Sequence, residues 1–172
     1  MSTQQPMDEV VFKKPVECTL AELHEFSKLV RKGSEVTATG LADRIRGAHL
    51  LGLALNSGVM VGVGALKIPE KSHRDHVVKA SGILLPADRI PFEIGWLYVL
   101  ENERDKKFGR RLMDGLMAAA GKSGVYGTSR LDEEHKPVHG ALERRGFSKV
   151  GKSYPSRDGK TNILLFVREQ ID

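Results

Sequence analysis

Five basic side chains crowd one short stretch of the sequence, YVLENERDKKFGRRLM, at Arg104, Lys106, Lys107, Arg110 and Arg111. The pattern predicts a strand ending near Val99 and a helix beginning near Lys107. Cations at a helix start oppose the macrodipole, at a cost of a few tenths of a kcal/mol each. The unbonded N–H groups of the first turn add to the positive potential. A bound anion would relieve both, and backbone amides at a helix start are a ready phosphate cradle. Gly109 takes a side chain away where a ligand would approach the backbone. The same charges also suit a solvated turn neutralised by Glu101, Glu103 and Asp105, and charge alone does not separate the two. Other reactive groups are sparser. The six histidines (His24, His49, His73, His76, His135 and His139) show no metal-ligand spacing. His73-x-x-His76 with Asp75 comes nearest, and no metal is expected. Cys18 is the single cysteine, which excludes an intramolecular disulfide and reads as a buried, inert thiol.

The elements that must carry these residues follow from periodicity and breakers. Residues 1–14 read as a frayed, flexible start, and residues 15–172 as one domain. Thr19 with Glu22 is a capping-box signature. Leu20, Leu23, Phe26, Leu29 and Val30 follow at helical spacing up to Gly33. A short helix is predicted over Gly40 to Ala48. HLLGLALNSGVMVGVGALKIP reads as two strands turning at Asn56-Ser57-Gly58. Residues 71–80 suit a helix, residues 92–99 a strand and residues 107–121 a helix with Phe108, Leu112, Leu116 and Ala119 as its apolar stripe. A short strand at 124–129, a helix at His135–Arg145, and terminal strands at 147–153 and 162–167 complete the chain. The last two flank a polar loop, SYPSRDGKT. Alternating strands and helices predict an α/β or α+β fold with helices on both faces of a sheet.

Composition bounds the partners. The 172 residues suit a single domain of ordinary globular usage, 40% hydrophobic and 28% charged, rather than a disordered chain. Only ten aromatic residues, six Phe, three Tyr and one Trp, leave little for base stacking. The formal charge is +5, with a pI near 9.4. Residues 101–172 hold 15 basic and 11 acidic side chains, against 12 and 11 in residues 1–100. The excess therefore sits late, and a third of the late basic residues lie in the one turn described above. That concentration fits the phosphates of one small anion better than a long polyanion, so nucleic acid is not the expected partner. No apolar stretch suits a secretory signal or a membrane span, and the default location is the cytoplasm.

The turn resembles the acyl-CoA-binding motif of the GCN5-related N-acetyltransferase (GNAT) family, Gln/Arg-x-x-Gly-x-Gly/Ala after a strand. Here it reads Arg104-Asp105-Lys106-Lys107-Phe108-Gly109. Arg104 and Gly109 match, Lys107 stands where the first glycine is usual, and Glu101 stands where proline is common. HKPVHGALERRGF, His135 to Phe147, is similar to the family's later block. Gly146-Phe147, Glu143 and the helical spacing fit, while His135 replaces an Asn and Leu142 replaces a Tyr. FEIGWLYV is similar to the family's central strand.

The resemblance implies a GNAT fold, with a mixed, mostly antiparallel sheet of about six to seven strands. It implies an acetyl-CoA-dependent N-acetyltransferase that moves an acetyl group directly to an amine, without a metal. Leu97, Tyr98 and Val99 would offer backbone groups to pantetheine, and an N–H near Val99 would meet the oxyanion. The amides of Lys106, Lys107, Phe108, Gly109 and Arg110 would hold the pyrophosphate. Arg104 would support the turn, and His135 joins the cofactor set from the later block. Lys107 is expected at an ordinary φ, because it carries a Cβ. Glu93 is the expected general base, directly or through a water. Its flanks, Phe92, Ile94 and Trp96, are apolar, and such surroundings raise a carboxylate's pKa. The family's usual Tyr acid is absent at Leu142, and Tyr154 is the expected substitute, with Tyr126 and His139 as further candidates. The acceptor, a small molecule or a protein, would be chosen by residues 19–48, 70–91 and 153–161, and a homodimer is compatible with the family. Two other readings stay open: a non-catalytic CoA-binding or interaction module of the same fold, and a transferase acting on charged tRNA or a nucleic-acid-bound amine.

Overall fold

The computed structural model describes residues 7–33 and 36–172. The strands are β1 (Asp8–Lys13), β2 (Leu50–Asn56), β3 (Val59–Lys67), β4 (Phe92–Val99), β5 (Val125–Arg130), β6 (Ser148–Pro155) and β7 (Asn162–Arg168). The helices are α1 (Leu20–Gly33), α2 (Leu41–Arg46), α3 (Lys71–Ser81), α4 (Phe108–Ala120) and α5 (Lys136–Glu143). The sheet has seven strands in the order β1-β2-β3-β4-β5-β7-β6, with β4–β5 parallel and β1–β2, β2–β3, β5–β7 and β6–β7 antiparallel. The mixed, mostly antiparallel sheet expected from the sequence is therefore present. By their contacts the residues fall into two compact units, 1–67 with 94–119 and 68–93 with 120–172.

In the first unit, side-chain alternation on β2 puts helices on two faces. Leu51 and Leu53 join Phe26, Leu29 and Val30 of α1 and Leu41 and Ile45 of α2 in one core. Ala54 points the other way, to Phe108 and Leu112 of α4. The α1 start is the expected capping box: Thr19 N–H donates to Glu22 at 2.8 Å, and Glu22 N–H donates to Thr19 Oγ1 at 3.1 Å. The β2–β3 hairpin turns at Ser57 and Gly58, with φ of 51° and 81°, the left-handed pair that a two-residue turn requires. Cys18, expected buried, is half-buried against the α1–α2 core.

In the second unit, α3 lies on one face of β5 and β7. Val77 packs with Leu85, Ile90, Tyr126, Leu165 and Val167. Phe166 faces the opposite way and carries the ring of His139 from α5, 5.2 Å between centroids.

Two expectations are corrected. Residues 1–14 are not frayed throughout, because β1 pairs with β2 from Asp8↔Asn56 to Lys13↔Leu51; residues 1–6 lie outside the described residues. The cause is packing. The ring of Phe12 fills the space above Gly115 of α4, where an added Cβ would overlap it, and Lys13 pairs with Glu22 of α1 at 2.8 Å. The loop after residue 153 also begins later than expected. Tyr154 lies in β6, opposite Ile163, past a register shift between Val150 and Tyr154.

Candidate active site

Strand β4 carries four of the expected site residues, Glu93, Leu97, Tyr98 and Val99, and its seating explains its shape. Leu97 and Val99 reach the α4 side, and two glycines of β3 let them in. A Cβ at Gly64 would stand 2.7 Å from Leu97, and one at Gly62 would stand 3.1 Å from Val99. Between these residues and Glu93, Trp96 is left-handed, at φ 54°. A single left-handed residue inside a strand is bulge geometry and bends the strand locally. The conformation is held by burial of the ring, edge-on to Phe26 at 6.2 Å and under Lys67 Nζ at 4.6 Å. The sign of this bend in the sequence is Gly95, the one residue of FEIGWLYV next to Trp96 that interrupts the run of β-formers.

The strand leaves through Leu100 into a 3-10 segment, Glu101–Lys106, and then α4. Arg104 Nε donates to Val99 O at 3.0 Å, with its guanidinium 5.9 Å from the Tyr98 ring. It thereby ties the turn to the strand end. Lys106 is bound to Glu103 at 2.8 Å, and Arg111 to Asp8 at 3.0 Å. Lys107 and Arg110 are exposed and make no ion pair among the described residues.

Lys107 is left-handed, φ 61° and ψ 25°, which corrects the ordinary φ expected from its Cβ. The turn keeps the backbone a glycine would adopt there, and lysine bears the strain, typically about 1–2 kcal/mol. Lys107→Gly should therefore raise stability by about 0.5–1 kcal/mol, after the extra freedom of glycine in the unfolded chain is subtracted. Urea unfolding of the two proteins reads this directly. A destabilised glycine variant would mean that the strain is not borne by this residue.

Arg111 N–H is bonded to Lys107 O at 3.2 Å, so the N–H groups of Phe108, Gly109 and Arg110 precede the helical ladder. Nothing lies within 4 Å of where a Cβ at Gly109 would stand. Phe108 itself is fully buried in the α4 core. Beside the strand end, a concavity of about 400 Å³ is lined by Lys32, Tyr98, Leu100, Glu101 and Asn102.

Glu93, at the other end of β4, is 3% exposed. It stands in register with Tyr126 of β5, one of two parallel pairs, the other being Phe92↔Val125. Its Oε2 lies 3.1 Å from Nε2 of His73 on α3. The surroundings are thus more polar than its apolar sequence neighbours suggested. Arg74, next on α3, donates to the carbonyls of Leu85 and Ile90 at 3.0 and 2.8 Å and lies 5.6 Å from the Tyr126 ring. The Tyr126 hydroxyl is buried without a hydrogen-bond partner. Its pKa is driven upward by burial first and by the Glu93 charge second, with Arg74 opposing. Tyr154 is pushed up to about 12 by the same two causes, burial leading. Both phenols keep their protons at neutral pH. The Tyr154 ring meets His76 edge-on at 6.0 Å.

His135 lies at the start of α5 with Nδ1 2.6 Å from Asp132. His139 Nε2 is 2.9 Å from Arg130 O, which gives that ring a structural partner. Leu142 is buried core. The structure thus groups Glu93, Tyr126 and Tyr154 in one unit, and Leu97 to Val99 with Arg104 to Arg110 in the other. Sequence reasoning missed His73 as the partner of Glu93. The signal was there, since His73, His76 and Val77 share one face of α3, but the two histidines were weighed only as metal ligands.

The profile of the acetyltransferase (GNAT) family matches residues 19–147. The chain belongs to this family. This GNAT protein is accordingly an acyltransferase, and its seven-stranded sheet is that of its structural neighbours. An acyl-CoA N-acyltransferase from Pseudomonas aeruginosa shares the fold at a TM-score of 0.64 and 16% identity, over 94% of this chain and 99% of that one. The ribosomal-protein-S18-alanine N-acetyltransferase from Escherichia coli does so at 0.65 and 12%, over 95% and 96%. NAA60 from Arabidopsis thaliana, in complex with a bisubstrate analogue, does so at 0.65 and 15%, over 94% and 98%. Comparison of the sequence with curated proteins gave no significant match. Among the described residues of this GNAT protein, no helix is long and apolar enough to cross a membrane.

Proposed function

We propose that this GNAT protein transfers an acetyl group from acetyl-CoA to an amine. The observation that carries the reading is the turn between β4 and α4. It combines a left-handed backbone at Lys107, open space at Gly109, first-turn amides ahead of the helical ladder, and two exposed cations, Lys107 and Arg110, that make no ion pair among the described residues. A diphosphate fits that chemistry. The amides of Lys106 to Arg110 would hold it, and Lys107 and Arg110 would meet the remaining phosphate charge. Backbone groups of Leu97, Tyr98 and Val99 would align the pantetheine arm. Arg104 keeps the turn in place by occupying the Val99 carbonyl. His135, engaged by Asp132, is the weakest member of the set.

Bound acetyl-CoA supplies an activated acyl group as a thioester. The protein's part is proton handling. Glu93 takes the proton that the attacking ammonium must lose, and its burial favours acceptance over remaining charged. Tyr154, neutral with its pKa pushed up to about 12, holds a proton for the leaving sulfur. Leu142 and Lys107, at the family's Tyr and Gly positions, speak for the non-catalytic alternative; the buried Glu93 paired to His73, which a binding module does not need, speaks against it. Titration calorimetry with acetyl-CoA is the test. Saturable binding of one acetyl-CoA per chain is expected, and absence of binding would overturn the reading.

A further inference from the structure

The Glu93–His73 pair runs from the interior to the surface: the Glu93 side chain is 4% exposed and that of His73 is 45% exposed. A base so deeply buried must lose its proton after every turnover, and water does not reach it freely. The groups around it differ in what they can accept. Tyr126 from β5 and Tyr154 from β6 already hold their protons at neutral pH. Arg74 is a permanent cation committed to the carbonyls of Leu85, Ile90 and Pro91. On the rest of α3, Lys71 and Asp75 bind each other at 2.7 Å, and His76 faces Tyr154. Imidazole is the side chain that exchanges protons near neutral pH, and the His73 ring has its Nε2 3.1 Å from Glu93 Oε2.

We propose that His73 is the positioning residue and proton outlet of Glu93, an inference that rests on the reading of Glu93 as the base. The amine N–H bond breaks as its proton bonds to the Glu93 carboxylate. Oε2–H then passes that proton to Nε2 of a neutral His73 ring carrying its own hydrogen on Nδ1. The imidazolium releases the Nδ1 proton to water, which leaves Nε2–H bonded to the restored carboxylate. The exposed ring returns to the first tautomer by exchange with solvent. One proton has moved from the amine to water, and no other reactant is needed.

The test is steady-state acetyl transfer by wild type, His73→Gln and His73→Ala, on whichever amine of a mixed panel the wild type turns over, from pH 6 to 9. Gln keeps an N–H bond to Glu93 but takes up no proton. It should fold and bind acetyl-CoA as wild type does, with kcat about 10-fold lower or more and KM within about twofold. The acidic limb of its pH profile should shift, and imidazole in the buffer should restore kcat of His73→Ala in proportion to its concentration. A Gln variant within twofold of wild-type kcat at every pH, with an imidazole-insensitive Ala variant, overturns the proposal and leaves the Glu93 reading standing. A wild type that transfers acetyl to no amine, while still binding acetyl-CoA, overturns the Glu93 reading and this inference with it.

Discussion

Glu93→Gln should lower kcat by about 100-fold or more while leaving the fold and acetyl-CoA binding intact. The substitution changes charge and basicity but hardly shape. The amide can still hydrogen-bond His73, and the site in register with Tyr126 keeps its filling. The turn at Arg104–Arg110, proposed to hold the cofactor, lies elsewhere in the sequence and is unchanged. The loss should therefore appear in kcat with a near-normal Kd for acetyl-CoA, the signature of an interaction made at the chemical step. Removing the Glu93 charge also removes the second, after burial, of the two causes that raise the Tyr154 pKa. Tyr154 should then ionise at a lower pH than in wild type, which spectrophotometric titration in the near-ultraviolet can follow. An undiminished kcat in the Gln variant would remove Glu93 from the mechanism.

Gly109→Glu should separate stability from binding. Space at the Gly109 Cβ position is open, so the larger side chain meets no steric obstacle. A carboxylate in the first turn of α4 also favours the helix dipole by about 0.3–1 kcal/mol. Thermal stability should hold or rise slightly. Acetyl-CoA affinity should nevertheless fall about 100-fold or more, because the new charge stands among the amides that the pyrophosphate needs. Few single substitutions act with opposite sign on folding and binding, which makes the pair of measurements informative. A variant that binds acetyl-CoA as wild type does would move the phosphate site away from this turn.

The two halves of the chemistry were not equally legible in the sequence. The strand–turn–helix from Phe92 to Ala120 is written in local pattern: β-formers, a charged break, then an apolar stripe at helical period. Its elements lie within a residue of where periodicity puts them. The hairpin at Ser57-Gly58 and the box at Thr19–Glu22 are local in the same way. What escaped depends on partners far along the chain. Strand β1 has only six residues, DEVVFK, and becomes a strand because β2 and the Phe12 notch on α4 are there to receive it. The left-handed Lys107 contradicts its own residue type and is imposed by the turn it serves. The His73–Glu93 contact joins residues 20 apart, brought together by α3 packing over β5 and β7. Sequence reading thus singled out Glu93 and the basic turn, but not the His73 contact that the fold adds to Glu93.

The expected site also changed in character. Glu93 was read as a carboxylate in an apolar wall, and it proves to be one member of a group with His73, Arg74, Tyr126 and Tyr154. Tyr154 moved from a loop to a strand, which fixes its ring against His76. Burial keeps its proton in place at neutral pH, with the pKa pushed up to about 12. His139 went the other way, into a hydrogen bond with Arg130 O and a stack on Phe166.

Amine-dependent release of free thiol from acetyl-CoA tests the central claim most directly. The purified protein is mixed with acetyl-CoA and a panel of primary amines, including peptide N-termini, and CoA thiol is followed with a disulfide dye. Thiol release that requires both the protein and one class of amine, and that disappears in Glu93→Gln, is the predicted result. Tight acetyl-CoA binding with no amine-dependent release from any member of the panel would contradict it and make the protein a CoA-binding module instead.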